Sequence, residues 1–218
     1  MIKKILFGSK DKMKSAYLWN TCAAMLNAFQ TVFILMLISR IDPVIDAGVF
    51  TIAFAIGNLM MAIGKYGIRQ FQVSDVEEKY SFKEYTVARI ITSIIMIAAS
   101  FVYVGVNLAS GLYDSSKSIV IILICLAKVI DAVEDVIHGM FQQYLRLDVA
   151  GKILSIRMCT YIFVYLVCYY FSKNLILTSA VVLLVSFIQF VILNYTAIRG
   201  FEIKKKTFEI KNVKNIFV

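Results

Sequence analysis

The ionisable side chains in the stretch 118–138 are the part of this chain best suited to chemistry. The stretch is otherwise mostly apolar, yet it contains Lys128, Asp131, Glu134, Asp135 and His138. On a helix with Lys128 at 0°, Asp131 falls at about 300°, Asp135 at about 340°, His138 at about 280° and Glu134 at about 240°. An isolated charge at the centre of a bilayer costs about 2.5–3.5 kcal/mol. The stripe must therefore face other helices or water, and not lipid.

Two kinds of role are open to this stripe. Lys128 could offer a point charge to an anionic group, and the three carboxylates could bind a coupling cation or exchange protons. For Lys128 and Asp131 the alternative is a local pair at i and i+3 that neutralises itself. For Glu134, Asp135 and His138 the alternative is a solvated helix end. The stripe predicts a cavity or ion route, with these structural alternatives left open.

Further polar side chains lie in the first apolar stretch of the chain. Asn20, Asn27 and Gln30 share a helical arc there. Amide side chains suit hydrogen bonding to carbohydrate, and they also bond neighbouring helices to one another. The three residues are therefore candidate lining residues of a cavity, with helix packing as the alternative.

The residue types that metal-dependent or nucleophilic enzymes use are poorly represented. The chain has one His and no HExxH motif, Gly-rich phosphate loop or assembled Ser/His/Asp set. All four cysteines fall inside apolar stretches without a CxxC pair, which is typical of packing residues and not of metal ligands. We therefore expect no enzyme, no catalytic residue, no bound cofactor and no metal site.

Six apolar stretches position these residues. They are 16–38, 47–66, 87–109, 118–138, 153–171 and 175–198. Each is close to the roughly 20 residues with which an α-helix crosses a hydrocarbon core of about 30 Å. The 60% share of hydrophobic residues exceeds the level of about 45–50% in soluble domains. The sequence predicts an all-α polytopic membrane protein, with a six-helix transmembrane bundle over 1–199 and a basic cytoplasmic tail or linker over 200–218.

Local signals mark two of the connections between these stretches. Pro43, the only proline, indicates a turn after the first stretch. Ser81 with Glu84 three residues later predicts a capping box at a helix start.

Lysines and arginines are unevenly distributed over the connections. Eighteen of the 23 lie in the N-terminus, in 67–89, in 139–157 or in the tail, whereas the alternate loops carry only Arg40, Lys117 and Lys173. Basic connections stay on the cytoplasmic side of a membrane, so both termini are predicted to be cytoplasmic. Topology and anionic headgroups also account for the net charge of +9. We therefore expect no nucleic-acid partner.

Three segments resemble a known transporter family. They are the predicted cytoplasmic connections 67–75 (GIRQFQVSD) and 139–152 (GMFQQYLRLDVAGK) and the first-helix entry 17–20 (YLWN). They resemble the N-terminal half of bacterial polysaccharide flippases, which belong to the multidrug/oligosaccharidyl-lipid/polysaccharide exporter superfamily. At the level of span order the resemblance extends over essentially the whole chain.

The resemblance implies a fold and an activity. The fold would be two six-helix bundles around a central cavity, working by alternating access driven by proton or sodium exchange. The substrate would be an undecaprenyl-diphosphate-linked oligosaccharide, flipped across the bacterial cytoplasmic membrane for O-antigen, capsule or related lipopolysaccharide biosynthesis. Since the family has twelve or more spans, we expect this chain to be the N-terminal half of such a transporter, or else one of two chains that associate.

The resemblance also implies partners and residue roles. Arg69, Gln72, Asp75 and Arg146 would hold the cytoplasmic gate or the topology. The partners would be the lipid-linked oligosaccharide, membrane lipids, the polysaccharide polymerase machinery and a second six-helix half. Three alternatives are a multidrug or small-molecule exporter of the same superfamily, a membrane-embedded enzyme of envelope-sugar metabolism, and a structural membrane subunit.

Overall fold

The computed structural model describes residues 2–42, 44–201 and 208–217, and every regular element in these ranges is an α-helix. The helices are α1 (Ile2–Phe7), α2 (Lys12–Ile41), α3 (Asp46–Lys65), α4 (Ile68–Ser74), α5 (Phe82–Ala109), α6 (Ser115–Gln143), α7 (Leu147–Ser172), α8 (Leu175–Ile198) and α9 (Ile210–Asn215). Pro43, where a turn is predicted, and the basic run 204–206 lie outside the described residues.

Five segments of the described chain are long and apolar enough to cross a membrane. They are α2, α5, α7, α8 and the α3–α4 pair taken together as Asp46–Ser74. Helix α6 has 29 residues but is not among them, because Lys128, Asp131, Glu134 and Asp135 interrupt its apolar surface. The predicted all-α membrane class is confirmed, and by length and composition the structure gives five candidate spans where the sequence predicts six.

Several helices are longer than the apolar stretches that predict them. Three cationic residues that the sequence assigns to connections therefore lie on helices. Arg89 lies in α5, and Lys152 and Arg157 lie in α7, where all three side chains are buried. The charge distribution of the sequence assigns them to connections, whereas the structure places them on helices with their side chains inside the fold. Acceptor groups on neighbouring segments accommodate the three cations inside the fold. The charge bias then rests on fifteen cations and keeps its direction.

Helix α6 lies at the centre of the bundle. It packs against α3, α5 and α8 along most of its length and against α4 and α7 over shorter stretches. Its first half contributes Ile121 and Ile124 to one apolar core, and its last turns contribute Met140 and Phe141 to a second one. The ionisable stripe lies between these two cores.

The predicted capping box begins α5. The Ser81 side chain accepts from the Glu84 N–H, and the Glu84 carboxylate accepts from the Ser81 N–H at 2.6 Å. Both residues are buried, and the helix that they start runs for 28 residues. The cap therefore fixes where α5 begins and orients its first turns toward the bundle.

The described part of the C-terminal segment packs against the bundle. Phe201 stacks on Phe141 with ring centroids 5.0 Å apart, and Val213 and Ile216 are buried. The Glu209 N–H donates to the Glu84 carboxylate at 3.0 Å. The region predicted as a tail thus contains a short docked helix, α9.

Candidate functional site: a charged cavity around α6

A cavity of about 100 Å³ opens beside the middle of α6. Residues of α2, α3, α4, α6 and α7 line it, and most of the lining side chains are ionisable. Those ionisable residues are Lys65, Arg69, Lys128, Asp131, Glu134, Asp135 and His138. Apart from the adjacent Glu134 and Asp135, successive members of the stripe are three residues apart, which keeps them on neighbouring turns of one helix face. The structure therefore brings all five residues of the α6 stripe to one site.

Arg157 of α7 is the centre of the first ionic group. Its guanidinium donates to Asp131 Oδ1 at 2.8 Å and forms a close ion pair with the Glu134 carboxylate. Asn194 of α8 donates to the other Glu134 oxygen at 2.6 Å. Arg157, Glu134 and Asn194 are all buried. This group ties α6, α7 and α8 together through charged hydrogen bonds, which are stronger than neutral ones.

Asp135 is the centre of the second ionic group. Its Oδ2 accepts from Arg89 of α5 at 2.8 Å, and its Oδ1 lies 3.4 Å from Arg69 of α4. Arg69 also donates to Gln142 Oε1 at 3.0 Å, and Arg89 donates to the Gly64 carbonyl at 2.6 Å. Asp135 therefore has one fully buried partner on α5 and one partly exposed partner on α4.

Lys128 lies at the end of the stripe nearer the first core. Its Nζ is 3.6 Å from Asp131 Oδ2 and 4.4 Å from the centre of the Phe54 ring. The i, i+3 pair is therefore present. It does not neutralise itself in isolation, because the other Asp131 oxygen is held by Arg157.

His138 and Glu134 differ from the solvated helix end that the sequence left open. Both side chains are buried, with relative exposures of 4% and 1%. The His138 Nε2 lies 3.8 Å from Glu134 Oε2, too far for a hydrogen bond, and has no hydrogen-bond partner among the described residues. His138 thus offers the cavity a buried ring nitrogen that is free to bond.

Positive charge exceeds negative charge at this site. Five cationic side chains surround three carboxylates when Arg89 and Arg157 are counted with the cavity lining. Lys65 forms no ion pair within the part of the chain that the structure describes. The cavity therefore presents an excess of positive charge that an anionic group could balance.

The three polar residues of the first apolar stretch separate into different environments. Asn27 lines the cavity, and its side-chain oxygen accepts from Gln30 at 2.9 Å. Asn20 instead donates to the Leu147 carbonyl at 3.0 Å and packs against Gly151 of α7. Asn20 joins α2 to the start of α7 and lies outside the cavity lining, which corresponds to the packing alternative.

The four gate candidates also occupy different environments, and only Arg69 lines the cavity. Gln72 is fully buried, where α4 meets α6, and exchanges hydrogen bonds with Gln143. Asp75 accepts from the Tyr85 hydroxyl at 2.9 Å and from two backbone N–H groups, which folds the connection before α5. Arg146 pairs with Asp148 at 2.8 Å at the start of α7.

Arg89, Arg157 and Asn194 belong to the site although the sequence reasoning did not select them. Each of the three has no other charged or amide residue within four positions along the sequence. A signal for them existed, because three carboxylates on one otherwise apolar helix require cationic partners from other helices when they are buried. The sequence does not tell which cations those are.

A second, larger cavity of about 280 Å³ lies at the opposite end of the bundle, where α3, α6 and α8 begin. Its charged lining residues are Asp46, Asp114, Lys117 and Lys173, which balance in charge. Tyr113 stands beside Lys117, and its hydrogen bond to the Tyr103 hydroxyl and partial burial raise its pKa to about 12. This end carries no excess of either sign.

Comparison with known proteins returned no matching family model, no matching curated protein and no matching solved structure. Among the described residues, no group of three His, Cys, Asp or Glu side chains could hold a metal ion. The function is therefore argued from the geometry and charge of the cavity.

Proposed function

We propose that this chain is a six-span lobe of a flippase that moves an undecaprenyl-diphosphate-linked oligosaccharide across the bacterial cytoplasmic membrane. In this proposal α6 is the sixth span, both termini are cytoplasmic, and the cavity receives the diphosphate headgroup. The observation that carries the proposal is the buried cavity in which five cationic side chains face three carboxylates.

The packing of α6 supports its role as a span. Its 29 residues extend over about 43 Å, which is longer than the hydrocarbon core. Its neighbours on several sides are candidate spans, and its carboxylates pair with arginines on those neighbours. Ionisable residues inside membranes are accommodated in this way, by facing the bundle interior and pairing with one another.

The chemistry of a diphosphate headgroup matches the cavity. A diphosphate brings several negative charges, and the excess positive charge of the cavity would balance part of them. Lys65 and Lys128 are suited to this contact as point charges, and Arg69 can bind phosphate oxygens through two N–H groups. Asn27 lies beside them and would donate to a sugar hydroxyl.

The carboxylates and His138 supply groups for cation coupling. Asp131, Glu134 and Asp135 are each held by an arginine, so an arriving phosphate group would compete for those arginines. A carboxylate that loses its arginine becomes a site for a proton or a sodium ion. The arginines would then bind the substrate while the carboxylates bind the coupling ion. This exchange of partners would link transport of the substrate to transport of the ion.

The charged lining distinguishes this proposal from the alternatives. A multidrug exporter would suit a more apolar, aromatic-lined cavity, whereas most lining residues here are ionisable. A membrane-embedded enzyme would require an assembled catalytic set, and no such set is seen among the described residues. A structural subunit would tolerate neutralisation of the cavity cations.

Removal of the cavity cations tests the proposal. Lys128→Ala and Lys65→Ala, made in the full-length gene, should abolish surface polysaccharide while leaving membrane insertion intact. Asp131→Asn should have the same effect through the coupling step. Lys83→Ala, at an exposed position on α5, is the matched control and should be silent. Normal polysaccharide in all three cavity variants would contradict the proposal.

A further inference from the structure

Helices α3 and α4 together form one candidate membrane span, Asp46–Ser74, that is interrupted at two residues. Tyr66 has φ 37° and ψ 35°, and Gly67 has φ 65° and ψ 2°, so both adopt the left-handed conformation. Glycine tolerates this conformation, but tyrosine adopts it rarely and at an energetic cost. Gly67 therefore favours the break by itself, whereas surrounding contacts must hold Tyr66 in this conformation.

Two side chains of α5 satisfy the carbonyl group that the break exposes. The Gly64 carbonyl accepts from Arg89 Nη1 at 2.6 Å and from Thr92 Oγ1 at 2.7 Å. Interrupted helices within a membrane are tolerated where neighbouring groups satisfy the freed backbone in this way. The other Arg89 terminal nitrogen, Nη2, binds Asp135 at 2.8 Å. Arg89 thus joins the break directly to the charged cavity.

Helix α4 carries Arg69 from the break into the cavity. The contact between Arg69 and Asp135 is 3.4 Å long, and the Arg69 side chain is 29% exposed, whereas that of Arg89 is fully buried. Departure of Arg69 would leave Asp135 paired with Arg89. The movement would therefore leave no buried carboxylate without a partner, which is the costly outcome when an ion pair is broken.

We propose that Tyr66 and Gly67 form a hinge on which α4 moves Arg69 into and out of the cavity, and that Arg89 is the positioning residue that holds this hinge. In the observed conformation Arg89 fixes the end of α3 through Gly64 and the cavity through Asp135. An anion in the cavity competes with Asp135 for Arg69, and loss of the Arg69–Asp135 contact removes one tie between α4 and α6. The role of the anion rests on the proposed function, whereas the hinge itself can be tested without a substrate.

The contact between α4 and α6 provides a probe of the hinge. Gln72 on α4 is fully buried against Gly139 of α6, so a thiol at position 72 becomes reactive only when α4 moves away. Cys125, a native cysteine that is 1% exposed in the core, is the matched control. The experiment uses the full chain with Cys22, Cys159 and Cys168 replaced by serine.

The first measurement is the rate of modification by N-ethylmaleimide in native membranes. The thiol introduced by Gln72→Cys should react at least about tenfold faster than Cys125, because α4 opens locally and the core does not. Arg89→Lys cannot bridge Gly64 and Asp135 in the same way, so it should accelerate modification of the thiol at position 72. Pyrophosphate should accelerate the same modification in the chain that retains Arg89. Equal protection of both thiols under all these conditions would overturn the hinge.

The second measurement is transport with the hinge locked. The Cβ position of Gly139 faces the end of the Gln72 side chain, so a bifunctional maleimide should cross-link the pair Gln72→Cys/Gly139→Cys through a cleavable disulfide spacer. The cross-link should stop flipping of an undecaprenyl-diphosphate sugar in proteoliposomes, and reduction should restore it. Ser172→Cys/Thr178→Cys is the control pair, whose side-chain oxygens lie 3.3 Å apart at the opposite end. Its cross-link should leave flipping unchanged.

These two measurements separate the hinge from the proposed function. Full flipping by the locked protein would overturn the role of the hinge in transport. No flipping by the unmodified protein, together with rapid modification of the Gln72→Cys thiol, would overturn the proposed function and leave the hinge standing.

Discussion

At the residue scale, the cavity depends on arginines that each hold more than one acceptor. Arg157 joins Asp131 to Glu134, and Arg89 joins Asp135 to the Gly64 carbonyl. Burying these groups is unfavourable by itself, and their mutual pairing offsets the loss of hydration. A shared arginine also couples the carboxylates, because a change at one alters the pairing of the other. The site therefore behaves as a network and not as separate ion pairs.

Loss of Arg157 should be strongly destabilising. Arg157→Met leaves Asp131 and Glu134 without their main partner inside the bundle, and we expect a loss of about 3–5 kcal/mol. The measurement is thermal unfolding of the detergent-solubilised protein. Arg199→Met, at an exposed arginine over the Tyr195 ring, is the control and should change stability little.

A second substitution distinguishes the charge of Arg157 from its packing. Adding Glu134→Gln to Arg157→Met removes one of the two carboxylates that lost the arginine and should recover part of the lost stability. Equal stability of Arg157→Met and the unmodified protein would show that the network does not stabilise the fold.

At the element scale, helix α9 and the capping box of α5 form one unit. Glu84 Oε2 accepts from the Ser81 N–H, and its Oε1 accepts from the Glu209 N–H and from Asn212 Nδ2 at 2.9 Å. The Phe217 ring of the same segment packs on Tyr66, with centroids 5.9 Å apart. The C-terminal segment therefore contacts both the start of α5 and the break between α3 and α4.

Loosening α9 should be separable from loss of the α5 cap. Asn212→Ala removes one bond to Glu84 and leaves the capping box intact, so amide hydrogen exchange should rise across 208–217 alone. Glu84→Ala removes both functions and should also raise exchange in the first turn of α5, with a loss of about 0.5–2 kcal/mol. Glu77→Ala, at an exposed position, should change neither region. Equal exchange in all three variants would contradict the docking of α9.

At the scale of the whole molecule, the proposed sixth crossing depends on the packing of α6, which is not among the five candidate spans. Helices α3, α4, α5, α7 and α8 pack against α6, and its charged residues pair with side chains inside the bundle. A helix in this position can cross without exposing its charges to lipid. Mean hydropathy is a property of each helix alone, and on this measure α6 is excluded. Burial of its charged side chains against neighbouring helices would lower the free-energy cost of a crossing.

The ends of α6 should lie on opposite sides of the membrane. In a chain with all four native cysteines replaced by serine, Ser116→Cys and Leu145→Cys place single exposed thiols just after the start of α6 and just beyond its end. A membrane-impermeant maleimide added to intact cells should label the first thiol and not the second, because basic connections keep the second end inside. Labelling of both thiols from outside would contradict a crossing by α6.

The local pattern of the sequence was sufficient to predict a helical protein suited to a membrane. It was also sufficient to predict which face of α6 carries the ionisable residues. Hydropathy depends on nearby residues, so it marks the long apolar helices, and helical periodicity places Lys128 and Asp131 close together. The same kind of reasoning assigned Arg89 and Arg157 to connections and did not select them for the site, because each lies near the end of an apolar stretch. It also grouped Asn20 with Asn27, although one joins α2 to α7 and the other lines the cavity.

The sequence by itself determined that the chain is helical, suited to a membrane and charged along one helix. Only the tertiary structure decided that Arg69, Arg89 and Arg157 meet the carboxylates of α6, and that Arg89 and Thr92 cap the broken end of α3. The physical reason is that hydropathy and periodicity are properties of a single helix. Ion pairing and the satisfaction of a freed carbonyl depend on how separate helices are rotated and packed against one another.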